Sequence, residues 1–159
     1  MNYMTQQPER VPATIGEIAE MTAGTCVSTR VRQLSRIVTR VYDDAMREHG
    51  ITGSQFTLLT QLAARDSITA VEIGQDLDIE KSTLSRNLKR LLALNMIIMD
   101  PPAGRRGRGL HLTPKGEAVI RSAFPVWQDA QRRALTALGP ESRSVLDGLL
   151  KTAAQLITD

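Results

Sequence analysis

Aromatic side chains are nearly absent. The 159-residue chain holds one Trp, two Tyr and two Phe, 3% of the total, although 42% of its residues are hydrophobic. A core must therefore be assembled from Leu, Ile, Val, Ala and Met, a composition that suits helices better than a β-sandwich. Cysteine is equally scarce: Cys26 stands alone, which excludes an intramolecular disulfide and fits a reducing cytoplasm. With only two histidines, His49 and His111, no spacing clusters metal ligands, so neither a metal nor a cofactor is expected. Apolar runs stop at four residues, Leu91 to Leu94 and Met96 to Met99, too short to cross a bilayer. The stretch from Met1 to Arg10 lacks the apolar core of a secretory signal. A cytoplasmic protein with no membrane partner is the expectation.

The same scarcity argues against an enzyme. His49 falls at a helix end, where an imidazolium meets the helix dipole favourably. His111 falls in a strand, where packing or a phosphate contact suits it. Asp43, Asp44 and Glu48 share a helix and read as a solvated face rather than paired catalytic acids. No nucleophile, base and orienting group come together, and no catalytic residue is assigned.

Charge is present but unevenly spread. The formal net charge is +3, yet residues 81–121 carry nine Lys/Arg against Asp100 and Glu117, a local +7, whereas residues 1–80 carry −4. Concentrated positive charge is the footprint expected for a polyanion.

Periodicity places that charge on recognisable elements. Val31, Leu34, Val38, Val41, Tyr42 and Ala45 mark a long amphipathic helix that Gly50 stops. A second helix runs from about Gly53 to Ala64. Thr69 with Glu72 three residues on reads as a reciprocal cap opening a further helix. Asp78 and Ile79 then turn the chain into a helix from Glu80 to Leu94, with Asn95 as a left-handed cap. Ile97–Asp100 and Gly109–Leu112 read as two strands joined by a loop from Pro101 to Arg108. Thr113 and Pro114 open a helix reaching about Leu138, kinked before Pro125, and Gly139-Pro140 ends it. A last helix carries Val145, Leu146, Leu149, Leu150, Ala153, Leu156 and Ile157 on a stripe too broad for one small domain to cover.

On the helix from Glu80, a 100° wheel gathers Leu84, Leu88, Leu91 and Leu92 on one stripe and Ser82, Ser85, Arg86 and Lys89 on the opposite one. One face packs and the other is open to a groove of DNA. The loop that follows sets Arg105, Arg106 and Arg108 among Gly104, Gly107 and Gly109, a cationic tip suited to phosphates or a minor groove. Helix, strand, basic tip and return strand make a winged helix-turn-helix. The candidate DNA contacts are Lys81, Ser82, Thr83, Ser85, Arg86, Lys89, Arg105, Arg106 and Arg108.

Four segments together, Gly53–Leu59, Thr69–Ile79, Lys81–Arg86 and Leu112–Gly116, resemble in order and spacing the MarR family of bacterial transcription regulators. The resemblance covers the chain from about Val27 to the C-terminus. It implies a mainly α fold with a small β-wing: a winged helix-turn-helix lobe at about residues 53–112, and dimerisation helices at about 15–49 and 113–159. Residues 1–14 would form a flexible arm ahead of a single domain spanning 15–159. The implied function is a sequence-specific, homodimeric regulator, usually a repressor, on a pseudo-palindromic operator in double-stranded DNA. The alternative is a winged-helix protein-interaction module that does not read DNA. One departure stands out: an Asp that the family places two residues before the wing arginine, here Arg106, is Gly104 in this chain, which implies a tip that orders on DNA.

The resemblance also implies a small aromatic or anionic effector that releases the repressor. Met96, Phe124 and Trp127 are candidates to line its cleft, and Arg32 and Arg36, with Arg40 on the same helical face, to hold a carboxylate; core packing and a solvated face are the plainer readings. A redox-sensing repressor using Cys26 is a further alternative. The thiol position of the family's peroxide sensors falls on Ser28 here, however, and of their two tyrosine positions one is Tyr42 and the other is Arg32. Arg30, one turn from Cys26, would favour the thiolate.

Overall fold

The computed structural model describes residues 11–65, 67–101 and 107–157. Two compact units divide at Ile37 and Val38, inside a helix. In the first, helix α1 (Ile15–Thr25) opens on Thr14, whose hydroxyl accepts from the Glu17 N–H at 3.1 Å while the Glu17 carboxylate accepts from the Thr14 N–H at 3.1 Å. The chain breaks at Cys26, whose ψ of 110° is extended, and α2 (Val27–Met46) begins. No residue of α1 is buried. Ile15, Ile18, Met21, Val27, Val31, Leu34 and Ile37 are exposed.

The second unit continues from α2 through a 3₁₀ turn at Arg47–His49, closed by Gly50 with φ of 69°, a left-handed conformation that glycine adopts without a Cβ clash. Helix α3 (Gly53–Ala63) and helix α4 (Ala70–Leu77) each start on a reciprocal cap, Thr52 with Gln55 and Thr69 with Glu72. Asp78, left-handed at φ of 48°, ends α4 and turns the chain toward α5 (Lys81–Ala93). Past Leu94, the Asn95 N–H bonds the Leu92 carbonyl at 2.9 Å and the Met96 N–H bonds that of Leu91 at 3.0 Å. With Asn95 at φ of 54°, this closes α5 in a Schellman motif.

Strands β2 (Ile97–Met99) and β3 (Gly109–Leu112) pair antiparallel with Ile98 opposite His111. A third strand, β1 (Ile68–Thr69), pairs with the other edge of β3, giving the order β1-β3-β2. At two residues, β1 is too short for an alternation that sequence could reveal. Helix α6 (Pro114–Leu138) is continuous through Pro125, and α7 (Ser142–Ala153) is followed by a 3₁₀ turn at Ala154–Ile157.

The core of this unit is aliphatic, as the composition requires. Met46, Leu58, Leu59, Ile68, Ile73, Leu91, Ile97 and Leu110 are fully buried, with Leu84 and Leu88 of α5 beside them. Two contacts fix α5 on this core. The buried amide of Gln55 on α3 donates to Asn87 Oδ1 at 3.3 Å. At the far end, the Thr113 hydroxyl donates to the Asn95 carbonyl at 2.8 Å and accepts from the Gly116 N–H at 3.1 Å. Gly116 is necessary there, since a Cβ would collide with the Met96 carbonyl. By contrast, α7 buries none of its residues, and Val145, Leu146, Leu149, Leu150 and Leu156 remain exposed.

Candidate nucleic-acid interface

Helix α5 divides as the wheel predicts. Leu84, Leu88 and Leu91 face the core and Leu92 is partly buried, while Lys81, Ser82, Thr83, Ser85, Arg86 and Lys89 are all exposed. Arg90, which the helical wheel did not single out, is exposed as well. The polar face is internally organised. Glu80 is the N-cap of α5, and its Oε2 accepts from the Ser82 N–H at 2.9 Å, from the Thr83 N–H at 3.1 Å and from the Ser82 hydroxyl. The Ser82 hydroxyl bond, with the two N–H groups next, holds the Glu80 carboxyl below its ordinary range. Arg86 Nη2 lies 3.4 Å from Ser82 Oγ and 3.3 Å from Thr83 Oγ1. Sequence places Glu80 only at the start of the helix; its hold on two residues of the exposed face depends on rotamers that spacing does not encode.

At the base of the wing, Arg108 is exposed and its Nε donates to the Asp100 carbonyl. Asp100 Oδ1 lies 3.0 Å from His111 Nε2, so His111 serves the wing base by a polar contact rather than by packing alone. A Cβ on Gly109 would collide with the Asp100 carboxylate and the Ser67 hydroxyl, which explains a glycine at that point of β3. Gly104, Arg105 and Arg106 lie outside the described residues.

Comparison with known proteins agrees with this geometry. Residues 49–107 match a model of the MarR family. The multiple antibiotic resistance protein MarR of Salmonella typhimurium is 30% identical over 114 residues, covering 70% of this chain and 79% of that protein. The chain belongs to the MarR family. It is thus a MarR-family transcription regulator and not an enzyme. The transcriptional regulator MosR of M. tuberculosis, solved in complex with DNA, superposes with a TM-score of 0.73 at 27% identity, over 83% of this chain and 98% of that one. The fold is shared also with a cysteine-to-serine mutant of MarR from E. coli complexed with operator DNA, at a TM-score of 0.71 and 22% identity, over 84% and 96% of the two chains. Among the described residues, no helix is long and apolar enough to cross a membrane.

The effector residues suggested by the family resemblance stand in different local surroundings. Met96 is 4% exposed and packs in the core, so it is a structural side chain and not a wall of an open cleft. Phe124 is half-exposed and stacks on Trp127 at 5.9 Å, and Trp127 in turn stacks on Phe56 at 6.3 Å. Trp127 borders a cavity of about 280 Å³ with Val38, Tyr42, Ser54 and Gln131, where the Tyr42 hydroxyl donates to Gln131 Oε1. Arg32 and Arg36 are exposed on α2, in the unit that ends at Ile37.

Cys26 is half-exposed at the break between α1 and α2. Its thiol is held below the ordinary value chiefly by the Thr29 hydroxyl and N–H, with Arg32 adding a smaller charge effect. Arg30, the expected neighbour, is directed instead to the Gly24 carbonyl at 3.3 Å.

Proposed function

We propose that the protein is a homodimeric repressor that reads a pseudo-palindromic operator with the exposed face of α5 and steadies itself on the adjacent backbone or minor groove with the arginine-rich wing. The observation that carries this reading is the division of α5. Its leucines are committed to the core, while Lys81, Ser82, Thr83, Ser85, Arg86 and Lys89 lie together in solvent, within a segment of net charge +7. Direct base readout needs side chains on one exposed helical face that fits the major groove, and phosphate contacts need mobile cations nearby. MosR, solved with DNA, supports the reading by likeness.

Residues 53–112 would form the DNA-binding lobe. The unit ending at Ile37 and helix α7, which carry exposed apolar stripes, would supply the dimer contacts. A small aromatic or anionic effector fits the cavity beside Trp127, with Tyr42 and Gln131 as its polar groups. The test is fluorescence anisotropy with a duplex selected by the protein from a random pool and a scrambled duplex of equal composition, across a salt series. Tight, salt-dependent preference for the selected duplex is the expected result. Failure to select any sequence would favour a winged-helix module that binds proteins instead.

A further inference from the structure

Glu80 is the exposed N-cap of α5, and its carboxylate organises the polar face that follows it. Its Oε2 is the acceptor for the Ser82 hydroxyl as well as for two backbone N–H groups. A serine hydroxyl has one proton, so with that proton directed at Glu80 the Ser82 oxygen is an acceptor toward every other group. Arginine has donors only. The Arg86 guanidinium therefore meets two hydroxyl oxygens, Ser82 Oγ at 3.4 Å and Thr83 Oγ1 at 3.3 Å, the first of them fixed as an acceptor by Glu80. Carboxylate, hydroxyl and guanidinium form one polarised chain along the first turn of the helix.

We propose that Glu80 is the positioning residue for DNA recognition by Arg86: it holds Ser82 as an acceptor, so the guanidinium rests over the first turn of α5 before DNA arrives. The inference rests on the reading of α5 as the recognition helix. Two consequences follow from charge and geometry. A guanidinium held in place loses less freedom when it docks on a base, so the specific contact gains. Meanwhile the carboxylate occupies the N–H groups that a DNA phosphate would otherwise take, and repels that phosphate. Glu80 thus weakens binding to DNA of any sequence while strengthening the contact that tells sequences apart.

Two variants separate this role from simple capping. Glu80→Ser keeps an oxygen able to cap the helix but removes both the charge and the reach to Ser82. Glu80→Gln keeps an oxygen at the same reach without the charge. With a duplex selected by the wild-type full chain and a scrambled control, Glu80→Ser is expected to lower the ratio of the two affinities about tenfold, within the range a weakened arginine–guanine contact costs. Glu80→Gln should restore most of that ratio, and both variants should bind the scrambled duplex more tightly than wild type. In an Arg86→Ala background, Glu80→Ser should leave the ratio unchanged.

In the free protein, nitrogen-15 relaxation at the Arg86 guanidinium should show it loosened by Glu80→Ser and held in Glu80→Gln. An equal loss of discrimination with and without Arg86, or an Arg86 guanidinium as restrained in Glu80→Ser as in wild type, would overturn the proposal. If instead Arg86→Ala leaves discrimination intact, Arg86 does not read bases and the proposal falls, while the relaxation measurement still decides whether Glu80 holds Arg86.

Discussion

At the scale of single residues, the question is which cation reads bases and which only meets phosphate. Arg86 is tethered to two hydroxyls of its own helix, so its aim is defined. Replacing it with Ala should cost about 1–3 kcal/mol on a selected duplex and much less on a scrambled one, measured by anisotropy. Equal losses on both duplexes would make Arg86 a phosphate contact. Arg106, in a segment rich in glycine, would contribute by its charge. Arg106→Ala should weaken binding to all sequences and reduce the slope of log K against log salt by about one for each phosphate that is no longer neutralised. An unchanged slope would remove the wing tip from the interface.

Among the elements, local chemistry decides what holds. The Thr69 hydroxyl accepts from the Glu72 N–H at 3.3 Å, and the Glu72 carboxylate accepts from the Thr69 N–H at 2.7 Å, so α4 starts with two of its donors satisfied. Thr69→Ala should lower unfolding stability by about 1 kcal/mol in a denaturant titration. The Thr69 bonds, backbone first, hold the Glu72 carboxyl below its ordinary value of 4.5. Because the folded state favours the ionised form, this contribution is complete above the unfolded pKa and disappears as pH falls through the lower folded one. A pH series should show the stability difference between wild type and Glu72→Gln shrinking below about pH 4.5, the ordinary carboxylate value.

These caps were legible in sequence because each is a short code acting within four residues: Thr69 with Glu72, Thr113 before Pro114, Gly50 and Asn95 after their helices. The leucine stripe of α5 was legible for the same reason, since its period needs no tertiary knowledge. The parts that escaped need distant partners. Strand β1 exists only because β3 lies beside it. Met96, for which sequence left both a cleft wall and core packing open, packs in the core beneath the start of α6. Glu80 bonds side chains through rotamers, and the charge effect at the Cys26 thiol comes from Arg32, while Arg30 donates to the Gly24 carbonyl.

Over the whole molecule, the unsolved demand is apolar surface. Leu149 and Leu150 are 60% and 69% exposed on a helix with no buried residue. A fully buried leucine is worth about 1.5–3 kcal/mol, and a two-fold interface uses every residue twice. Introducing Asp at both Leu149 and Leu150 should therefore convert dimer to monomer in sedimentation and weaken operator binding far beyond the effect of two added charges. A dimer also fixes the separation of its two α5 helices, so half-sites should lie about one helical turn, 10–10.5 base pairs, apart. The most direct test of a dimeric reader is anisotropy on the selected duplex and on the same duplex with about five base pairs inserted between its half-sites, which turns one recognition surface to the opposite side of the helix. Tight binding to the first and affinity no better than scrambled DNA for the second is the predicted result; equal affinity for both would contradict it.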